Sequence, residues 1–342
     1  MTQTAFQRRY ETFRSMVDRR LASLVRPGEP RDLRDASRYV LSGGGKRIRA
    51  VLTLMACEAA GGSARNAIDA AAAIEVLHNF TLVHDDVMDN SPARRGRPTV
   101  HITWDLNTAL LTGDLLLGIG YRTLLRGRVL HAERVVRVFT GALLEVCEGQ
   151  ALDLAFERRT DVTVPEYFGM IEKKTAALLS ASAVMGALMA EASPRIQSAF
   201  RRYGHFLGRA FQLQDDLLDV VADPKDLGKP IGGDIIERKK TFLLLRAVTR
   251  AEGEDRDFLI RLLHAEPAAA HAAGSPDRAA ADRKHLIGRV TGLYERYGIL
   301  DETRREISRN TKRALRALAI LRPGPSREML HHLADMLVNR IS

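Results

Sequence analysis

The chain has 342 residues, 45% hydrophobic and 27% charged, with aromatics at only 6%. Ala, Leu and Arg dominate, the composition of helix surfaces and Leu/Ala helix cores rather than of twisted sheets, so the expected fold class is all-α. A net charge of +10 favours anionic partners. No dense Lys/Arg block with interleaved aromatics occurs, and nucleic acid is not expected among those partners.

Residues Met1 to Arg26 carry Arg8, Arg9, Arg14, Arg19 and Arg20 with Glu11 and Asp18 and no apolar core, which reads as an amphipathic first helix rather than a secretory signal. No run of 18 apolar residues occurs, which excludes a membrane-spanning helix. Cys57 and Cys147 lie far apart without CxxC spacing, so neither a disulfide framework nor a zinc site is expected. Two buried, reduced thiols would fit a cytoplasmic location. Helical periodicity runs almost throughout, broken at Gly- or Pro-rich points, and predicts about a dozen helices in one domain, 1–342.

After the turn Gly43-Gly44-Gly45 comes Lys46-Arg47-Ile48-Arg49, opening an apolar helix. Backbone N–H groups at a helix N-terminus attract phosphate, and Lys46 and Arg49, at i and i+3, add cationic donors on one face. The spacing is not that of a Walker loop. The segment Ala70 to Asn90 reads as a buried helix ending in Asp85, Asp86 and Asp89. Asp85 and Asp89 share a face one turn apart; carboxylates about 6 Å apart repel by about 3 kcal/mol at an effective dielectric near 20. They also lie at the helix end whose dipole disfavours anions, so a cation is expected there. Arg94-Arg95-Gly96-Arg97 follows one short loop later, an anion clamp.

Lys173-Lys174-Thr175 opens another basic point, and an apolar helix from Ala199 to Val221 ends in Asp215, Asp216 and Asp219, a second DDxxD of identical spacing. One such triplet is often a solvated helix face. Two, each flanked by apolar residues, form oxygen-only clusters suited to Mg²⁺, which takes its remaining ligands from water and substrate phosphates. Lys229 and Lys239-Lys240-Thr241 complete the cations. The Ala-, His-, Pro- and Gly-containing stretch 265–282 has little apolar surface to bury and reads as a mobile linker or insertion within the domain, or else as the extension of a helix. From His285 onward strong helical periodicity returns.

Together the motifs GGGKRIR at Gly43 to Arg49, HNFTLVHDDVMDNSPARRGRPT at His78 to Thr99, KTAAL at Lys174 to Leu178, FQLQDDLLD at Phe211 to Asp219 and GKPIGGD at Gly228 to Asp234 resemble the trans-isoprenyl diphosphate (polyprenyl) synthases of the short-chain type, such as geranylgeranyl and farnesyl diphosphate synthases. The resemblance implies a helical bundle of the isoprenoid-synthase type with a central apolar cavity, a homodimer, and Mg²⁺-dependent condensation of isopentenyl diphosphate with an allylic diphosphate, with three ions when substrate is bound. It implies that Asp85, Asp86, Asp89 and Asp215 are Mg²⁺ ligands, with Asp216 and Asp219 supporting the second cluster. Arg94, Lys174, Gln212, Lys229 and Lys239 resemble the allylic diphosphate grip, and Lys46, Arg49, His78 and Arg95 the isopentenyl diphosphate site, with Thr175 near the reacting carbon. Ala50, Arg238 and Leu243 depart from frequent family proline, glycine and proline, and none removes a charge the chemistry needs.

Five residues of helix span about 7.5 Å, so residues four and five before Asp85 should underlie the growing hydrocarbon. These are Thr81 and Phe80. A bulky aromatic at the fifth position with a small residue at the fourth resembles a geranylgeranyl (C20) floor; farnesyl (C15) and longer products are the alternatives, and core packing is the plain reading of Phe80. A terpene cyclase is disfavoured by the second DDxxD, and a non-catalytic subunit by the intact acidic clusters and Arg pair.

Overall fold

The computed structural model describes residues 1–126, 132–222, 231–264 and 276–338. In chain order these form α1 (Gln3–Ala22), α2 (Arg31–Ser42), α3 (Ile48–Ala59), α4 (Ile68–Met88), a two-stranded hairpin of β1 (Ala93–Arg94) and β2 (Arg97–Pro98), α5 (Val100–Thr103), α6 (Leu106–Leu125), α7 (Ala132–Arg158), α8 (Val164–Ile171), a π-helical turn (Glu172–Ala176), α9 (Ala177–Met189) and α10 (Pro194–Val221). Then come α11 (Gly233–Ile236), α12 (Phe242–Arg250), α13 (Gly253–His264), α14 (Pro276–Arg296), α15 (Ile299–Ala317), a 3₁₀ turn (Leu318–Ile320) and α16 (Pro325–Val338). The all-α expectation holds; the hairpin was not foreseen and is the sole sheet among the described residues. Helix α14 starts at Pro276, so from there the stretch extends a helix rather than forming a linker, and 265–275 lie outside the described residues.

Two compact units are distinguished. The first comprises Met1–Val146, Ala177–His205 and Ala314–Ala334. Its centre is α4, buried along nearly its whole length through Ala70, Ala71, Ala72, Ala73, Ile74, Val76, Leu77, Phe80 and Val83. A helix apolar on every side must be enclosed, and α1, α2, α3, α6 and α9 all pack against it. Small residues set the spacing: a Cβ on Gly186 of α9 would come within 2.2 Å of the Thr53 carbonyl oxygen of α3.

The second unit comprises Cys147–Ala176, Phe206–Arg313 and Asp335–Ser342. Its core gathers Phe156, Tyr167, Met170, Ile171, Leu213, Leu217, Phe242 to Leu245, Leu259, Val290 and Tyr294. A capping box starts α8: Thr163 Oγ1 accepts from the Glu166 amide and the Glu166 carboxylate accepts from the Thr163 amide. That start aims Tyr167 into the core. Among the described residues no helix is long and apolar enough to cross a membrane.

Candidate active site

In the first unit the DDxxD triplet closes α4. Asp89 is its C-cap, donating its amide to the Asp85 carbonyl (2.8 Å), and the chain leaves through Asn90 at φ 48°. Asp85 is half-buried, Asp89 exposed and Asp86 only 6% exposed. Burial raises the Asp86 carboxyl above its ordinary pKa, and Arg94, whose Nε donates to Asp86 Oδ1 at 2.6 Å, pulls the other way. The hairpin delivers that arginine. Arg95 and Gly96, at φ 53° and 73°, make a two-residue turn that needs positive φ at both positions, and Arg94 pairs with Arg97 across it. Arg95 then donates to the Gly44 carbonyl, and Arg97 stacks 3.8 Å over the Tyr39 ring. A pocket of about 60 Å³ is lined by Asp86, Arg94, Arg95, Arg97, Asn79, Tyr39 and neighbours.

Arg47 turns inward instead. At φ 50° it caps α3, is 4% exposed, and binds Asp18 (2.9 Å), Glu75 (3.5 Å) and the Leu41 carbonyl (2.6 Å). Lys46 is exposed beside it, while Arg49 Nη1 donates to His78 Nε2 at 3.1 Å. Burial, then the charges of Arg49, Arg95, Arg94 and Arg47, hold the His78 pKa well below its ordinary value, so the imidazole is a neutral acceptor. Phe80 is 7% exposed, edge-on to His84 with centroids 4.8 Å apart, and the Thr81 hydroxyl donates to the His78 carbonyl (2.8 Å).

The second unit holds a cavity of about 160 Å³ whose lining includes Asp215, Asp216, Gln212, Lys174, Thr175, Asp153, Asp234, Lys239 and Tyr167. Its side chains are ordered by hydrogen bonds: Thr175 Oγ1 donates to Gln212 Oε1 (2.8 Å), Gln212 Nε2 to Asp216 Oδ1 (2.9 Å) and the Tyr167 hydroxyl to Asp216 Oδ2 (2.6 Å). Burial, then Asp234 and Asp215, push Asp216 up to about 8 against the pull of those donors. Lys174 pairs with Asp153. Lys239 lies 2.9 Å from Glu237 and 3.7 Å from Asp234; burial opposes its charge, yet those carboxylates prevail and raise its pKa. Asp219 does not line the cavity. It is 1% exposed, its Oδ2 accepts from the Asp234 amide (2.9 Å) and its carbonyl accepts from the amide of Gly232, which sits at φ 75° with Ile287 where a Cβ would go.

The sequence pattern of the Polyprenyl synthetase family matches residues 30–274. The chain belongs to the polyprenyl synthetase family. It is 38% identical over 329 residues to a short chain isoprenyl diphosphate synthase of Methanothermobacter thermautotrophicus, covering 96% of each chain. It is 38% identical over 297 residues to a geranylgeranyl diphosphate synthase of Saccharolobus solfataricus, covering 84% of this chain and 88% of that one. Its fold matches the crystal structure of geranylgeranyl pyrophosphate synthetase from Pyrococcus horikoshii with a TM-score of 0.89 at 35% identity over 98% of both chains. The protein is thus a prenyltransferase, and its reaction is isoprenyl diphosphate chain elongation.

Membership of the polyprenyl synthetase family implies a divalent metal. The acidic groups of the cavity, Asp153, Asp215, Asp216 and Asp234, offer the carboxylate oxygens that suit a hard cation, and burial, then Asp234 and Asp215, raises Asp216. Among the described residues no group of three or more His, Cys, Asp or Glu side chains forms a ready-made cage. The sequence named Asp215, Asp216, Gln212, Lys174, Thr175 and Lys239, which share the one cavity, and Asp86, Arg94 and Arg95, which share the other. Lys229 lies outside the described residues. Sequence reasoning missed Tyr167 and Asp153, which carry no spacing signal, and gave no role to Asp234 or to Glu75, a lone acid in the apolar run of α4.

Proposed function

We propose that this prenyltransferase condenses isopentenyl diphosphate with dimethylallyl, geranyl or farnesyl diphosphate in the presence of Mg²⁺, three ions per site with substrate bound, and that its main product is geranylgeranyl diphosphate (C20). The observation that carries this reading is the cavity of the second unit, where two carboxylates of one DDxxD share walls with Lys174, Lys239, Thr175 and Gln212. Asp85, Asp86 and Asp89 in the first unit, and Asp215 in the second, are the proposed metal ligands. Bound Mg²⁺ supplies positive charge against the leaving diphosphate. Lys174 and Lys239 neutralise the same oxygens, Gln212 holds Thr175 at the reacting carbon, and Tyr167 keeps Asp216 in place. Lys46, Arg49, Arg95 and neutral His78 bind isopentenyl diphosphate. No side-chain nucleophile is required; the allylic C–O bond breaks, the isopentenyl double bond attacks, and the lost proton goes to the departing diphosphate.

Phe80, with the engaged hydroxyl of Thr81 beside it, supports a C20 limit, as does the similarity to geranylgeranyl diphosphate synthases. A homodimer is supported by the exposed side chains of Ile102, Leu106, Leu110 and Leu111 on α5 and α6, an apolar face of a kind that a second copy would cover. The test is incubation of purified protein with Mg²⁺, isopentenyl diphosphate and each allylic starter, with sizing of the products. C20 is expected, and Phe80→Ala should lengthen it; an unchanged length in that variant removes Phe80 from the floor, and no condensation at all overturns the reading.

A further inference from the structure

The π-helical turn Glu172–Ala176 carries Lys174 and Thr175, and it is met from two sides by glycines. A Cβ on Gly149 of α7 would lie 2.3 Å from the Lys174 amide nitrogen and 2.6 Å from its Cα; a Cβ on Gly208 of α10 would lie 2.4 Å from the Ala176 Cα. These are backbone atoms, which cannot rotate aside as a side chain can. Each helix then repeats one device. Four residues beyond its glycine, on the same face, it presents the group that catches the turn: Asp153 of α7 pairs with Lys174, and Gln212 of α10 accepts from Thr175. A π turn is a rare form found often at functional sites. Here its backbone is admitted by two glycines and its two polar side chains are fastened one helical turn further on.

We propose that Gly149 and Gly208 are positioning residues of the transfer reaction, fixing where the Lys174 and Thr175 side chains stand in the cavity of the second unit. The inference rests on the reading above that this cavity takes the allylic diphosphate. An alanine at either glycine must displace the turn by roughly 1 Å, a shift that in a reacting site costs up to about 10²-fold in rate.

The test uses the full chain and reads binding as well as turnover. With Mg²⁺ and geranyl thiolodiphosphate, an allylic analogue that ionises poorly, Gly149→Ala and Gly208→Ala should each raise Kd at least about tenfold at unchanged stoichiometry, and lower kcat by about 10²-fold. The Kd for isopentenyl diphosphate should hold, since its proposed residues belong to the other unit. Gly169→Ala on α8, where a Cβ would meet nothing within 4 Å, is the control and should bind and turn over normally. A partly misfolded variant would show lower stoichiometry with normal Kd, and that result, or normal Kd and kcat, overturns the proposal. Lys174→Ala separates the two readings. If it leaves the analogue's Kd unchanged, the allylic assignment of the cavity fails. If it weakens binding while both glycine variants do not, only the positioning role falls.

Discussion

The same five-residue pattern, DDxxD, closes α4 and approaches the end of α10, and the two copies are built into different surroundings. On α4 the buried middle aspartate, Asp86, is paired with a cation, Arg94, at 2.6 Å, and the last, Asp89, is an exposed C-cap. On α10 the middle aspartate, Asp216, accepts from two neutral donors, Tyr167 and Gln212, beside further acids, and the last, Asp219, is buried and holds the backbone of the Gly232–Asp234 turn. Spacing therefore fixes which residues share a helix face but not what each carboxylate does. One copy is partly neutralised by the protein itself. In the other, the buried middle carboxylate meets neutral donors, and burial, then its acidic neighbours, raises its pKa.

The largest effect expected is at the first aspartates of both copies. Asp85→Ala and Asp215→Ala should each cut turnover by about 10³-fold or more, the scale on which removal of a group stabilising transition-state charge is felt, with far-UV circular dichroism and Tm close to wild type. If either variant keeps near-normal kcat with saturating Mg²⁺, its carboxylate is not a metal ligand and the proposed ligand set fails.

The comparison sharpens at the last aspartates. Asp219→Ala removes the acceptor for the Asp234 amide and leaves that donor without its buried partner, a cost of about 1–3 kcal/mol. Asp89→Ala changes an exposed side chain whose structural part is played by its backbone, so its stability should change by less than about 0.5 kcal/mol. Urea denaturation of both variants reads the difference. Equal stabilities would show that Asp219 anchors nothing.

Much of this was legible in the sequence. Helical periodicity gave the all-α class, and the apolar run from Ala70 gave a buried α4 because a helix with no polar face has to be enclosed. The co-location of Asp215, Lys174 and Lys239 followed from motifs and not from any local rule, since they stand on three separate segments. What remained illegible is tertiary. The hairpin is two residues long on each side, too short for an alternating pattern, and its turn depends on Arg95 adopting positive φ. The π turn has no period of its own to detect. Arg238 was noticed as a departure from glycine, and the structure gives the reason glycine is favoured there: its φ is 56°. Arg47 looked like one more cation of the GGGKRIR motif, but the left-handed backbone at that position swings it into the core against Glu75 and Asp18.

The smallest effect expected concerns the basic side of the comparison, in the first unit. His78 is faced by Arg49 at 3.1 Å and lies within the fields of Arg95, Arg94 and Arg47, so its folded pKa stands well below the 6.5 of an unfolded histidine. Between those two values the unfolded chain binds a proton that the native state refuses, and stability rises with pH there. Acidification below pH 6.5 should thus cost the wild type up to about 1.4 kcal/mol per pH unit from this group alone. His78→Gln keeps an acceptor for Arg49 and cannot titrate, so its stability should fall less steeply between pH 7 and 5.5 in paired urea titrations. Parallel slopes would mean that His78 is protonated in the folded protein, and that the arginines around it leave room for a further positive charge.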